Sequence, residues 1–159
     1  MLMKPKVYIE TTIPSYLTAF PSRDIVICAH QQLTKEWWLE ARENFETFIS
    51  EAVIEEIRQG DVSASEKRMS MVSGLTVLSL NDDVRELVHF YDSKLGLPKK
   101  AKTDILHIAF AVSYEMDYML TWNCAHLANG GVMRKLLDLN EFINRYTPLI
   151  VTPEELLTQ

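Results

Sequence analysis

Cysteine, glycine, ligand-spaced histidine and long apolar runs are all scarce in this chain. Its two cysteines, Cys28 and Cys124, have no metal-ligand spacing and give at most one pair. That excludes a disulfide framework and points to buried free thiols in a reduced cytosolic protein. The four histidines never stand at H-x-x-x-H spacing, which removes the common helical zinc motif. With five glycines there is no phosphate-cradling loop and no G-x-S-x-G elbow, so P-loop NTPases and serine hydrolases fall away. No apolar run approaches the roughly 18 residues of a membrane span, and no charged-then-apolar leader opens the chain. A cytoplasmic protein without membrane contact is expected. Basic residues are also in deficit, 16 against 22 acidic for a net charge of −6. This argues against a general electrostatic grip on nucleic acid or on an anionic membrane, so any nucleic-acid contact must be local or metal-bridged.

What remains is ordinary globular material. A chain of 159 residues, 47% hydrophobic and 24% charged, suggests one domain over 1–159 with a single sizeable core. Its organising stretch is Val7-Tyr8-Ile9-Glu10-Thr11-Thr12. The β-branched and aromatic run suits a buried parallel strand, and it stops at a carboxylate followed by two hydroxyls. Glu10 either marks a solvated strand end, with Thr11 or Thr12 capping the next helix, or sits where ligands gather in open α/β sheets.

Further elements follow in alternation. Asp24 to Asn44 predicts one or two helices with Ile25, Cys28, Ala29, Gln32 and Leu33 as an apolar stripe, extended by Trp37, Trp38 and Ala41. The two tryptophans are adjacent and diverge by about 100° on a regular helix, so either both pack in the core or one reaches a subunit interface. Phe45 to Ser50 predicts a strand, and the helix Glu51 to Gln59 leaves Glu55 and Glu56 near its inner face. Ser63 with Glu66 reads as a capping box for a helix through Val72, Leu75 to Leu80 as a strand, and Val84 to Leu95 as a helix behind Asn81. A helix beginning near Ala101 to Thr103 places Asp104 in its first turn, before a strand from Tyr118 to Thr121. Gly130 and Gly131 predict a turn before a helix from Val132 to Arg145, then a strand at Leu149 to Val151 and a proline-led capping box at Thr152-Pro153-Glu154-Glu155. Such alternation predicts an α/β fold, a mostly parallel sheet covered on both faces.

In right-handed βαβ units, this order carries Glu10, Glu56, Asp104 and Asn123 to the carboxyl edge of the sheet. If the first and fourth strands are neighbours, the four converge where strand order reverses. Carboxylates crowded in a cleft repel one another unless a cation compensates, and all-oxygen donors suit Mg²⁺ or Mn²⁺. A water on such an ion is acidified for attack on phosphorus, which makes phosphodiester hydrolysis the leading chemistry. Lys99, Lys100 and Lys102, just ahead of Asp104, either hold a substrate backbone or form a solvated loop. His107, one turn beyond Asp104, reads as a structural histidine or as a hydrogen-bonding neighbour of the site. His126 reads as a loop hydrogen-bonder or a substrate contact.

The segments Val7-Tyr8-Ile9-Glu10-Thr11-Thr12, Val53-Ile54-Glu55-Glu56-Ile57, Thr103-Asp104-Ile105-Leu106-His107-Ile108-Ala109-Phe110-Ala111 and Leu120-Thr121-Trp122-Asn123 resemble the four motifs of PIN-domain nucleases, in order and over essentially the whole chain. The resemblance implies a three-layer fold around a five-stranded parallel sheet with the first strand central. It also implies Mg²⁺- or Mn²⁺-dependent cleavage of single-stranded RNA. Many small members of the family are toxins of the VapC kind, commonly dimeric and held by an antitoxin peptide. Position by position, Glu10 stands where the family usually has aspartate, while Glu56 and Asp104 match its second and third acids. Asn123 stands at or beside the fourth, where aspartate is common, and an amide there brings no charge. Thr11 matches the hydroxyl that supports the metal's water shell. The alternative is a catalytically weak PIN-like module that binds RNA or a protein partner. A receiver-like phosphotransfer domain would need an aspartate ending a strand, and none of these strands ends in one.

Overall fold

The computed structural model describes residues 3–157. Five short strands, β1 (Lys6–Ile9), β2 (Glu46–Ser50), β3 (Thr76–Leu78), β4 (Tyr118–Leu120) and β5 (Leu149–Val151), form one sheet in the order β3-β2-β1-β4-β5. Every adjacent pair is parallel. Seven α-helices connect them: α1 (Thr12–Thr18), α2 (Ile25–Glu36), α3 (Glu51–Ile57), α4 (Val62–Val72), α5 (Asp82–Lys94), α6 (Lys102–Ser113) and α7 (Gly130–Phe142). From β1 the chain steps outward through β2 to β3, then crosses to β4 and steps outward again to β5. Right-handed crossovers in these two opposite directions cover both faces, giving the expected three-layer α/β architecture. None of the described helices is long and apolar enough to cross a membrane.

β1 is central because its side chains tolerate burial on both faces: Val7, Tyr8 and Ile9 are all 0% exposed. β5 has its expected bounds, whereas β2, β3 and β4 are shorter than the runs that predict them. Leu80 leaves the ladder, its amide donating instead to Glu51 Oε2 at 2.8 Å, so β3 stops at Leu78. Phe45 precedes β2 and packs edge-on against Tyr118.

Four local expectations are corrected. First, the stripe Ile25, Cys28, Ala29, Gln32 and Leu33 is not the buried face as a whole: Leu33 packs half-buried against the core, but Ile25 is 86% exposed, and Gln31 and Thr34 are the buried residues of α2. Polar anchors set this rotation. Thr34 Oγ1 accepts from Trp122 Nε1 at 2.7 Å, while the Gln31 amide bridges Ser22 N and Phe20 O. A buried donor left unpaired would cost about 1–3 kcal/mol, comparable to burying one more aliphatic side chain. Second, α4 is capped by Asp61, whose Oδ2 accepts from Ala64 N, not by Ser63 with Glu66. Third, Gly130 and Gly131 are the first residues of α7 instead of a turn before it, because Asn129 Oδ1 accepts from Gly131 N and Val132 N. Fourth, the cysteines are free but not buried: Cys28 is half-buried and Cys124 exposed.

Both tryptophans are in the core, Trp37 at 0% and Trp38 at 7% exposure. A π-helical turn over Trp37–Ala41 makes this possible, since its wider winding changes the angle between neighbours. The Arg42 guanidinium closes over the Trp38 ring at 4.5 Å. The terminal capping box at Thr152 is present, with Pro153 opening a short 3₁₀ turn.

Asp83, on α5, ties α6 and the loop after α7 to its own helix. It receives both Arg145 guanidinium nitrogens, at 2.9 and 2.5 Å, and Ser113 Oγ at 2.7 Å. These Arg145 hydrogen bonds hold its carboxyl below the usual aspartate value. A lowered pKa stabilises the fold above the unfolded value of 3.8 and loses that contribution as pH falls through the folded value. Asp83→Asn should therefore lower stability at pH 7 by about 1 kcal/mol, the pair being partly solvent-screened. The gap between variant and wild-type melting temperatures should close as pH is taken below 4; a gap constant with pH would remove the ion pair as its source.

Candidate active site

The strand order reverses beside β1, which pairs with β2 on one side and β4 on the other. Ile9 stands opposite Leu120, so the residues that follow them, Glu10 and Thr121, meet at the carboxyl edge. The Glu10 amide extends the ladder to Leu120 O at 3.1 Å. This is the crevice in which doubly wound sheets bind ligands.

Glu10 is not a solvated strand end. It is 4% exposed, and its Oε1 accepts from Thr12 Oγ1 at 2.5 Å and Thr121 Oγ1 at 2.6 Å. Thr12 Oγ1 in turn accepts from Trp122 N at 2.9 Å. Thr11 makes no side-chain cap on α1; its hydroxyl donates to Glu56 Oε1 at 2.7 Å. Ser50 starts α3 by accepting from Val53 N, and one to two turns later the helix presents Glu56 to the same edge. Glu55 is exposed and takes no part.

Glu56 Oε1 also meets His107 Nε2 at 2.5 Å. His107, on α6, is fully buried. Its Nδ1 lies 2.6 Å from Tyr8 Oη, which lies 2.7 Å from Ser50 Oγ. Glu10, Glu56 and His107 each offer a ligand atom, and these atoms all lie within 4.8 Å of one another.

Asp104 sits in a second, adjoining cluster. Its Oδ1 accepts from Asn123 Nδ2 at 3.1 Å and its Oδ2 contacts His126 Nδ1 at 3.0 Å. The Asn123 side-chain oxygen Oδ1 accepts from the His126 backbone N–H at 3.0 Å, and the Asn123 backbone N–H donates to Thr121 Oγ1 at 3.0 Å. Thr121 thus joins the two clusters. The structure gathers Glu10, Glu56, Asp104 and Asn123 at one edge, but the compact donor group contains His107 where Asp104 was expected. Lys99, Lys100 and Lys102 are exposed along the 3₁₀ turn Lys99–Ala101 and the start of α6. Among the described residues their side chains make no hydrogen bond or ion pair.

Burial alone would keep His107 neutral, but the hydrogen bond with Glu56 and the charges of Glu10, Glu56 and Asp104 outweigh it and raise its pKa. Burial likewise favours protonated Glu56, yet His107 and Thr11 bring its pKa down. Tyr8 is pushed up by burial. Sequence reasoning missed Tyr8, Ser50, Thr12 and Thr121 as parts of the site. Only the hydroxyl-rich ends of their strands hinted at them.

No family model matches this sequence, and no curated protein does. Among solved structures the fold matches a chain in the crystal structure of VapBC2 from Rickettsia felis bound to a DNA fragment from their promoter. The TM-score is 0.57 at 13% identity, over 92% of this chain and 97% of that one. This likeness is one of fold.

The Glu56–His107 pair carries an expected pH dependence. Glu56, lowered, stabilises above its ordinary 4.5 and loses this as pH falls. His107, raised, stabilises below its ordinary 6.5 and loses this as pH rises through the folded value. In EDTA, the His107 ring resonances should titrate with a midpoint above 6.5. Melting temperature should fall on the alkaline side of that midpoint more steeply in wild type than in His107→Gln. A midpoint below the ordinary histidine value would contradict the ion pair.

Proposed function

We propose that this protein is a divalent-metal-dependent endoribonuclease of the PIN type, hydrolysing phosphodiester bonds of single-stranded RNA, and that it is the toxin of a toxin–antitoxin pair. The observation that carries this reading is the convergence of Glu10, Glu56 and Asp104, from three separate segments, at the point where strand order reverses. The VapBC2 fold neighbour supports the toxin–antitoxin assignment, as do the four motifs. In that role the chain binds an antitoxin peptide and acts as a cytoplasmic homodimer.

The donors fit a Mg²⁺ or Mn²⁺ ion. Three carboxylates with buried or half-buried side chains need compensating charge, and His107 supplies one positive charge at most. Glu10 and Glu56 would hold the ion, with Asp104 adding charge beside them. Bound there, a divalent cation supplies an acidified water and neutralises charge developing on the phosphate. The chain's own groups do the rest. Thr12 and Thr121 fix the Glu10 carboxylate, and Thr11 fixes Glu56. Asn123 and His126 clamp both oxygens of Asp104. The Asn123 side-chain oxygen is committed to the His126 backbone N–H, so Asn123 positions Asp104 through its Nδ2. Lys99, Lys100 and Lys102 offer local positive charge to an RNA backbone on an otherwise acidic protein.

The same Asn123 geometry favours a second reading, a catalytically weak module that binds RNA or a protein partner. One assay separates the two: cleavage of a mixed single-stranded RNA pool in Mn²⁺ by wild type, by Asp104→Asn and by wild type in EDTA. The nuclease reading expects cutting by wild type, a loss of about 10- to 100-fold or more in the variant, and none in EDTA. Equal cutting by wild type and variant would assign the activity to a contaminant, and absence of cutting by folded, metal-loaded wild type would favour the binding module.

A further inference from the structure

The position of His107 is not explained by packing. Its imidazole is 0% exposed, yet its Nε2 is directed at the carboxylate edge, 2.5 Å from Glu56 Oε1. Its ligand atom lies within 4.8 Å of those of both Glu10 and Glu56. Asp104 is outside this compact group, and its two oxygens are engaged by Asn123 and His126.

We propose that His107 Nε2 is itself a ligand of the cation, so that the site is built from two carboxylates and one imidazole and favours Mn²⁺ or a softer first-row ion over Mg²⁺. This rests on the reading that a divalent ion binds at this edge. Imidazole nitrogen is a good donor to borderline transition ions and a poor one to Mg²⁺, which prefers oxygen and retained water.

The surroundings of the three donors support ligation, since ligands of a metal site are held by an outer layer of hydrogen bonds. Glu10 has Thr12 and Thr121, Glu56 has Thr11, and His107 has Tyr8. The chain behind His107 also runs in a direction that suits a ligand. With a cation bound in place of the proton that His107 Nε2 and Glu56 Oε1 share at 2.5 Å, Nδ1–H donates to Tyr8 Oη, and Tyr8 O–H donates to Ser50 Oγ. That oxygen also accepts the Val53 amide at the start of α3. This tautomer frees the Nε2 lone pair for the ion beside Glu56. A structural histidine needs a partner for each nitrogen; it does not need its Nε2 placed among two carboxylates at a strand switch point.

Electron spin-echo spectroscopy of Mn²⁺-loaded protein, with calorimetry of Mn²⁺ and Mg²⁺ binding, tests this without reference to activity. Wild type is expected to bind Mn²⁺ more tightly than Mg²⁺ and to show ¹⁴N modulation from a directly bound imidazole. The modulation should vanish in His107→Gln and persist in His126→Gln. Tyr8→Phe keeps the core volume and removes only the hydroxyl behind Nδ1. It should weaken Mn²⁺ binding about 10- to 100-fold, which provides a readout should His107→Gln fail to fold. Bound Mn²⁺ with no ¹⁴N modulation in wild type would overturn the ligand assignment while leaving a carboxylate-only metal site intact. Modulation that survives in folded His107→Gln would overturn it too. No Mn²⁺ binding by folded wild type would overturn both this inference and the metal reading beneath it.

Discussion

The structure depends on holding one carboxylate out of water at the end of its central strand. Glu10 is 4% exposed, and an isolated carboxylate so placed would be costly. Two threonine hydroxyls meet the same oxygen, and they come from opposite ends of the sequence, two residues on and 111 residues on. Thr12 in turn accepts the amide of Trp122. The pairing of β1 with β4 and the satisfaction of Glu10 are therefore one event: without the strands adjacent, Thr121 has no access to the carboxylate.

From that anchor the site divides into two hydrogen-bonded groups with different characters. Glu10, Glu56 and His107 form a compact set of donors backed by hydroxyls. Asp104, Asn123 and His126 form a clamp in which each polar side chain satisfies another. An amide at position 123 is informative here. Aspartate at that position would add a charge beside Asp104, whereas Asn123 donates to Asp104 and accepts from His126. With an amide in one group and an imidazole in the other, this edge is not lined by carboxylates alone.

The helices away from this edge show the same priority of polar pairing over apolar pattern. α2 turns Ile25 and Ile27 outward because Thr34 must meet Trp122 and Gln31 must meet the backbone around Phe20. Trp122 is thus held at both its backbone, by Thr12, and its indole, by Thr34. Further along, the π-helical turn brings both neighbouring tryptophans into the core.

The sequence by itself determined the alternation of strands and helices, the central place of Val7-Tyr8-Ile9, and the edge to which Glu10, Glu56, Asp104 and Asn123 are carried. Those features follow from local periodicity, capping residues and the handedness of crossovers, all of which act over short stretches of chain. Only the tertiary structure decided which faces of α2 are buried, that Trp37 and Trp38 share the core, and that His107 stands beside Glu10 and Glu56 while Asp104 is clamped by its neighbours. These depend on contacts such as Tyr8 with His107 and Thr121 with Glu10, across 99 and 111 residues. No local pattern encodes the partner of a hydroxyl or an imidazole when that partner arrives from another strand, so the chemistry of the edge becomes legible only when the sheet is assembled.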